Sequence, residues 1–181
     1  VSYIQTYLGG KMDPLGDIDD ILEHINIVDI AHSLAMKCRY GGHCRQFYSV
    51  AQHSVLVTRW VAEQGELYHM DALLHDAEEA YFSDIPRPVK KMIPGWEAMI
   101  ISMKSAIAAK FKLSPTEPAI VKDADNRILL DEKRWLMAPA SDPDLKWPDV
   151  DPLGIKIKPW PWQKAESEFL NAFRRLGGTI E

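Results

Sequence analysis

The chain has 181 residues, of which 46% are hydrophobic and 26% charged; that suits one globular domain and is too apolar for a disordered chain. With 21 basic against 26 acidic residues the net charge is −5, and no long basic run marks a grip on duplex nucleic acid. No apolar stretch approaches the roughly 18–20 residues of a membrane helix.

The opening VSYIQTYLGGKMD lacks the charged and apolar parts of a secretory leader. The expectation is therefore a cytoplasmic protein with Cys38 and Cys44 as reduced thiols. Residues 1–26 carry Gly9, Gly10, Pro14 and Gly16, which argue for turns and allow a short hairpin at Tyr3–Leu8. The acidic stretch from Asp17 to Asp29 reads as solvated surface. Apolar residues at Ile27, Ile30, Ala31, Leu34 and Cys38 then recur at helical steps, and Gly41-Gly42 stops them. A second helix is expected over 49–64, with Ser49 as N-cap and Gly65 as stop. A third fits 66–82 and ends before the DIPRPVK loop, stiffened by Pro86 and Pro88. A fourth starts near Pro94 and carries Trp96, Met99, Ile100, Met103, Ile107 and Phe111 on one core-packing face. A fifth starts near Pro118 and runs toward Leu136. Six prolines between 139 and 161 forbid a helix there, and Trp147, Trp160 and Trp162 are placed to pin that excursion to the body. A last helix is expected over 163–176. With no internal repeat or change of composition, the pattern reads as one compact all-α domain over 1–181.

Three of these helices bring polar groups to core faces. His53 lies three residues after Val50 and four before Val57. His75 and Asp76 are adjacent, and on an α-helix Glu79 shares the face of His75, while Glu78 turns away to solvent. Asp125 lies one turn from both Val121 and Leu129, with Asp123 as its rival. An unpaired carboxylate in an apolar stripe costs roughly several kcal/mol, so a partner is expected. Two imidazoles and two carboxylates suffice to hold a divalent ion: Mn²⁺, Co²⁺, Fe²⁺, Zn²⁺ or, less well, Mg²⁺. Such an ion acidifies water enough to supply a nucleophile at neutral pH. His43, in the Gly-Gly turn, is placed near the mouth of such a site. A second metal site built from His32, His43, Cys38 and Cys44 matches no zinc spacing.

The ordered set H…HD…D, with His53, His75-Asp76 and Asp125, resembles the signature of the HD-domain metal-dependent phosphohydrolases. CRYGGH, YSVAQHS, LLHDAEEAY and DIPRPVK accompany it, and the likeness spans roughly residues 27–137. It is nearest to the bacterial HD-domain 5′-deoxynucleotidases and phage dATP triphosphohydrolases. The resemblance implies an HD-domain helical bundle in which His53, His75, Asp76 and Asp125 hold one divalent metal. Glu79 and Asp84 fall on catalytic positions, and Arg39 with Lys90 would neutralise phosphate charge. Where the deoxynucleotidases have Arg-Trp in contact with substrate, this chain has Arg39-Tyr40. The implied reaction is in-line hydrolysis of a small nucleotide, a deoxynucleoside monophosphate first and a triphosphate second. A non-catalytic metal-holding nucleotide-binding module is the reading from another class, and a homodimer is compatible with either.

Overall fold

The computed structural model describes residues 3–180. A two-strand antiparallel hairpin, β1 (Ile4–Gln5) and β2 (Lys11–Met12), comes first; the described residues after it are helix or coil, apart from one antiparallel bridge between Cys38 and Ser49. The hairpin leads into α1 (Ile18–His24), which sequence periodicity misses. Its start is nonetheless encoded, because the Asp17 side chain accepts a hydrogen bond from the Asp20 amide at 2.9 Å, satisfying an otherwise orphaned first-turn donor. Asn26 caps α2 (Ile27–Met36) in the same way. The acidic stretch is not wholly solvated: Asp29 is buried and accepts from the Leu8 amide at 2.8 Å, tying the hairpin to α2.

After a 3₁₀ turn at Arg39–Gly42 comes α3 (Val50–Glu63), capped by Ser49 as expected. It lies at the centre, against α2, α4 (His69–Leu74), α8 (Ala119–Leu136) and α9 (Trp162–Arg175). The helix expected over 66–82 is broken in two, α4 and α5 (Glu79–Phe82). The link between them is wound by three-residue hydrogen bonds, Ala77 N to Leu74 O and Glu79 N to Asp76 O among them. The DIPRPVK segment holds one short turn of helix, α6 (Arg87–Lys90), and α7 (Trp96–Phe111) packs along α1.

Ile30, Leu34, Val55, Leu73, Met103 and Phe169 sit in the larger core, between α2, α3, α7 and α9. A second core beneath α3 and α8 contains Tyr48, Val57, Val121, Ile128 and Leu136. The proline-rich stretch is coil, as expected, and buried Gln52 secures it by donating to Lys158 O at 2.9 Å and accepting from Trp160 N at 2.8 Å. Trp147 rests against Tyr40 at a ring separation of 6.0 Å. No helix among the described residues is long and apolar enough to cross a membrane.

Candidate metal centre

Three elements converge on one point. His53 projects from the buried face of α3, His75 caps the C-terminus of α4 with Asp76 next to it, and Asp125 comes from the second turn of α8. His53 Nε2 lies 3.2 Å from His75 Nε2 and 3.2 Å from Asp125 Oδ1, and His75 Nε2 lies 3.9 Å from the same oxygen. Asp76 Oδ2 stands 3.2 Å from His75 Nε2 and 3.7 Å from His53 Nε2. His53, His75 and Asp125 form a group that can hold a metal ion. Asp123, the rival, points away and pairs with Arg127 at 3.2 Å.

The hydrogen bonds decide which ring nitrogens are free. His75 Nδ1 donates to the Ala72 carbonyl at 2.8 Å, an oxygen that can only accept. His53 Nδ1 lies 2.7 Å from Glu132 Oε1. Burial alone would push the Glu132 carboxyl up, but Arg39 and His53 outweigh it and hold it down at about 2. It is therefore a carboxylate, and His53 Nδ1 is the donor. With each Nδ1 proton given away, the two Nε2 atoms face each other at 3.2 Å, an arrangement that is repulsive unless positive charge, a proton or an ion, sits between them. Burial opposes a charge on His75, yet Asp76 and Asp125 push it up to about 10: the acids favour positive charge at this point, which a proton on His75 or a bound ion can supply. Donor atoms each about 2.1 Å from a shared ion lie roughly 3.0–3.4 Å apart at right-angle to tetrahedral geometry, close to the separations seen.

Glu132 is the residue that sequence reasoning passed over. It lies two turns after Asp125 on α8, fully buried between Ile128 and Leu136 on the core stripe. A charged residue in register with both Asp125 and that stripe was the available signal. The Arg39 guanidinium faces inward, 3.4 Å from Asp76 Oδ2 and 3.4 Å from Glu132 Oε2. Tyr40 turns its hydroxyl to Glu132 as well. Both expected substrate residues thus point at the support of the metal cluster. Arg87, from α6, is the cation on the open side: it pairs with the second oxygen of Asp125 while half exposed.

The tight winding after α4 corrects two expectations. With three residues per turn instead of 3.6, Glu79 falls in line with Asp76 rather than with His75. Glu78 falls in line with His75 and is buried, paired with Lys104 at 2.9 Å, instead of solvated. Glu79 is also buried and accepts from Lys90 at 2.7 Å, so the Lys90 ammonium is engaged by this carboxyl. Burial, with Asp76 and Asp84 nearby, pushes Glu79 up to about 8, against the pull of Lys90. Its Oε2 is buried without a partner. Asp84 sits on the same side as part of the field around Glu79, Lys37 and Arg39. His43 is exposed at the end of the 3₁₀ turn. Cys38 and Cys44 are unbridged, and His32 lies elsewhere, paired with Glu166, so these four do not assemble into a second site.

No family model matches the chain. It is 40% identical over 138 residues to the uncharacterized protein YfdR of Escherichia coli, covering 75% of this chain and 73% of that one. It is 38% identical over 127 residues to an uncharacterized protein of Rhodobacter capsulatus, covering 66% and 64% respectively. The chain, with its buried histidine and carboxylate cluster, belongs to the family of YfdR.

Proposed function

We propose that this chain is a cytoplasmic, divalent-metal-dependent phosphohydrolase of the HD-domain type, acting on a small nucleotide. A deoxynucleoside monophosphate is the preferred substrate and a deoxynucleoside triphosphate the second choice. The observation that carries the reading is the convergence of two imidazole Nε2 atoms and two carboxylates, with both Nδ1 atoms already set against acceptors. His53, His75, Asp76 and Asp125 would hold one ion, and imidazole with carboxylate suits Mn²⁺, Fe²⁺, Co²⁺ or Zn²⁺ better than Mg²⁺. When bound, the ion supplies a Lewis acid and lowers the pKa of water.

The protein's own groups do the rest. Glu79, held at about 8 by burial beside Asp76 and Asp84, keeps a proton at neutral pH, and Oε2 is the atom with nothing else to bond. In this reading it protonates the leaving oxygen, or takes a proton from attacking water once ionised. Arg87 offers the exposed guanidinium nearest the cluster and suits bidentate contact with phosphate oxygens. A cavity of about 370 Å³ borders His75, lined by Glu78, Lys104, Ser105 and Ser114 among others; His53, Asp76, Asp125, Glu79 and Arg87 are not part of its wall.

Screening the purified, Mn²⁺-loaded protein against deoxy- and ribonucleotides, while measuring phosphate, pyrophosphate and tripolyphosphate, tests the proposal. Phosphate from monophosphates supports the first choice and tripolyphosphate the second. Nucleotide binding with no release would make the chain a metal-holding binding module.

A further inference from the structure

We infer that Glu132 is a positioning residue for the metal centre: with Tyr40 and Arg39 it locks the His53 imidazole so that Nε2 faces the ion, and Arg39 braces this support against Asp76. The inference rests on the metal-centre reading above.

Glu132 is fully buried, and all three groups around it are donors. Oε1 takes the His53 Nδ1 proton at 2.7 Å, and Oε2 takes the Tyr40 hydroxyl and Arg39 Nη2. With the His53 proton on Nδ1, a carboxylate at Glu132 accepts from all three at once. Ile128 and Leu136 flank it on the same buried stripe of α8, so an apolar side chain would serve packing alone. A buried ion pair is weak evidence for stability, since well-packed apolar residues often replace one at no loss. What an apolar residue cannot do is accept the His53 Nδ1 proton. Without that acceptor the ring is free to flip or to move its proton to Nε2, which removes the lone pair from the cluster.

The surrounding backbone is bent to the same end. Tyr40 sits at φ 58°, ψ 29°, a left-handed conformation that aromatic residues seldom adopt, and from it the hydroxyl reaches Glu132. Arg39 divides its two terminal nitrogens between Glu132 on α8 and Asp76 after α4. The guanidinium therefore spans two of the elements that supply the cluster. It is buried, which fits a brace better than a hand extended to substrate.

Two readouts test this without relying on turnover. The first is the His53 tautomer in metal-free protein, read from imidazole ¹⁵N shifts. Wild type and Glu132→Gln, whose amide oxygen can still accept, should carry the proton on Nδ1; Glu132→Ala should lose that preference. The second is Mn²⁺ affinity by calorimetry. Glu132→Ala should bind about 10–100-fold more weakly, the usual scale for losing such a partner. Glu132→Gln and Arg39→Lys should fall between it and wild type, and Tyr40→Phe nearest to wild type. Should Glu132→Ala not fold, Glu132→Leu, which fills the stripe between Ile128 and Leu136 without an acceptor, decides. Affinity within twofold of wild type in folded Glu132→Ala or Glu132→Leu overturns the inference while leaving the metal centre intact. Wild-type protein that takes up no metal overturns the metal centre itself, and this inference with it.

Discussion

Two histidines in this chain donate to, or pair with, a glutamate across the fold, and they do different things. His32 pairs with Glu166 at 3.0 Å, and its ring is stacked on Tyr7 at 3.6 Å and edged by Trp162. His53 pairs with Glu132 at 2.7 Å, but its other nitrogen points at His75, Asp76 and Asp125. A carboxylate partner thus does not distinguish a structural histidine from a ligand. The surroundings of the ring do: His32 lies against the aromatic rings of Tyr7 and Trp162, whereas the Nε2 of His53 faces the Nε2 of His75 and two acids.

The largest expected effect breaks the comparison on the cluster side. His75→Ala or Asp125→Ala should abolish stoichiometric metal retention after dialysis, because each removes a donor that no nearby group replaces. His32→Ala should retain metal in full. Equal retention in all three variants would contradict the ligand set.

Next is Glu79→Gln, which should keep the metal and lose about 10² or more in kcat, the usual worth of a positioned acid–base group. The same substitution sharpens a pH dependence. Glu79 titrates at about 8 in the fold against 4.5 ordinarily, so the folded state binds its proton more tightly. Its contribution to stability is complete below about pH 4.5 and is lost as pH rises toward 8 and beyond. Metal-free wild type should therefore lose stability relative to Glu79→Gln between pH 5 and 8 in urea titrations. A constant difference across that range would contradict the shift.

Arg87→Ala should cost about 1.5–3 kcal/mol in kcat/KM for a nucleotide, on the scale of hydrogen bonds to charged groups, with metal content unchanged. An unaltered kcat/KM would remove Arg87 from phosphate recognition. The smallest effect belongs to the other histidine: His32→Ala should lower stability by about 1 kcal/mol and leave Mn²⁺ affinity where it was. A tenfold drop in affinity would mean that the two histidine–glutamate pairs are not separable.

What sequence could and could not reveal follows from the range of each interaction. The caps at Ser49 and Asn26, the helical faces of α2, α3 and α7, and the coil forced by prolines after 138 are local, and periodicity or a single side chain announces them. The choice of Asp125 over Asp123 was legible too, because only one of them lies in register with Val121 and Leu129. The break after Leu74 was not. The run HDAEEA holds no Gly or Pro and gives no stop signal, and the 3₁₀ winding there goes with the contacts that His75, Glu78 and Glu79 make with α3, Lys104 and Lys90. That change of pitch moved Glu79 to the side of Asp76 and buried Glu78. Arg39 was visible as a cation near the cluster, but its burial between Asp76 and Glu132 depends on residues 37 and 93 positions away, beyond any local pattern. α1 was hidden because Gly16 and Pro14 drew attention to turns, while the cap at Asp17 lay in plain view.

The most direct test of the metal centre is anomalous diffraction from crystals of the Mn²⁺-loaded protein, recorded on both sides of the manganese edge. The expected result is one strong peak bounded by His53 Nε2, His75 Nε2, Asp125 and Asp76, with His53 Nδ1 still on Glu132. A peak elsewhere, or none at this point in crystals shown to contain manganese, would contradict it.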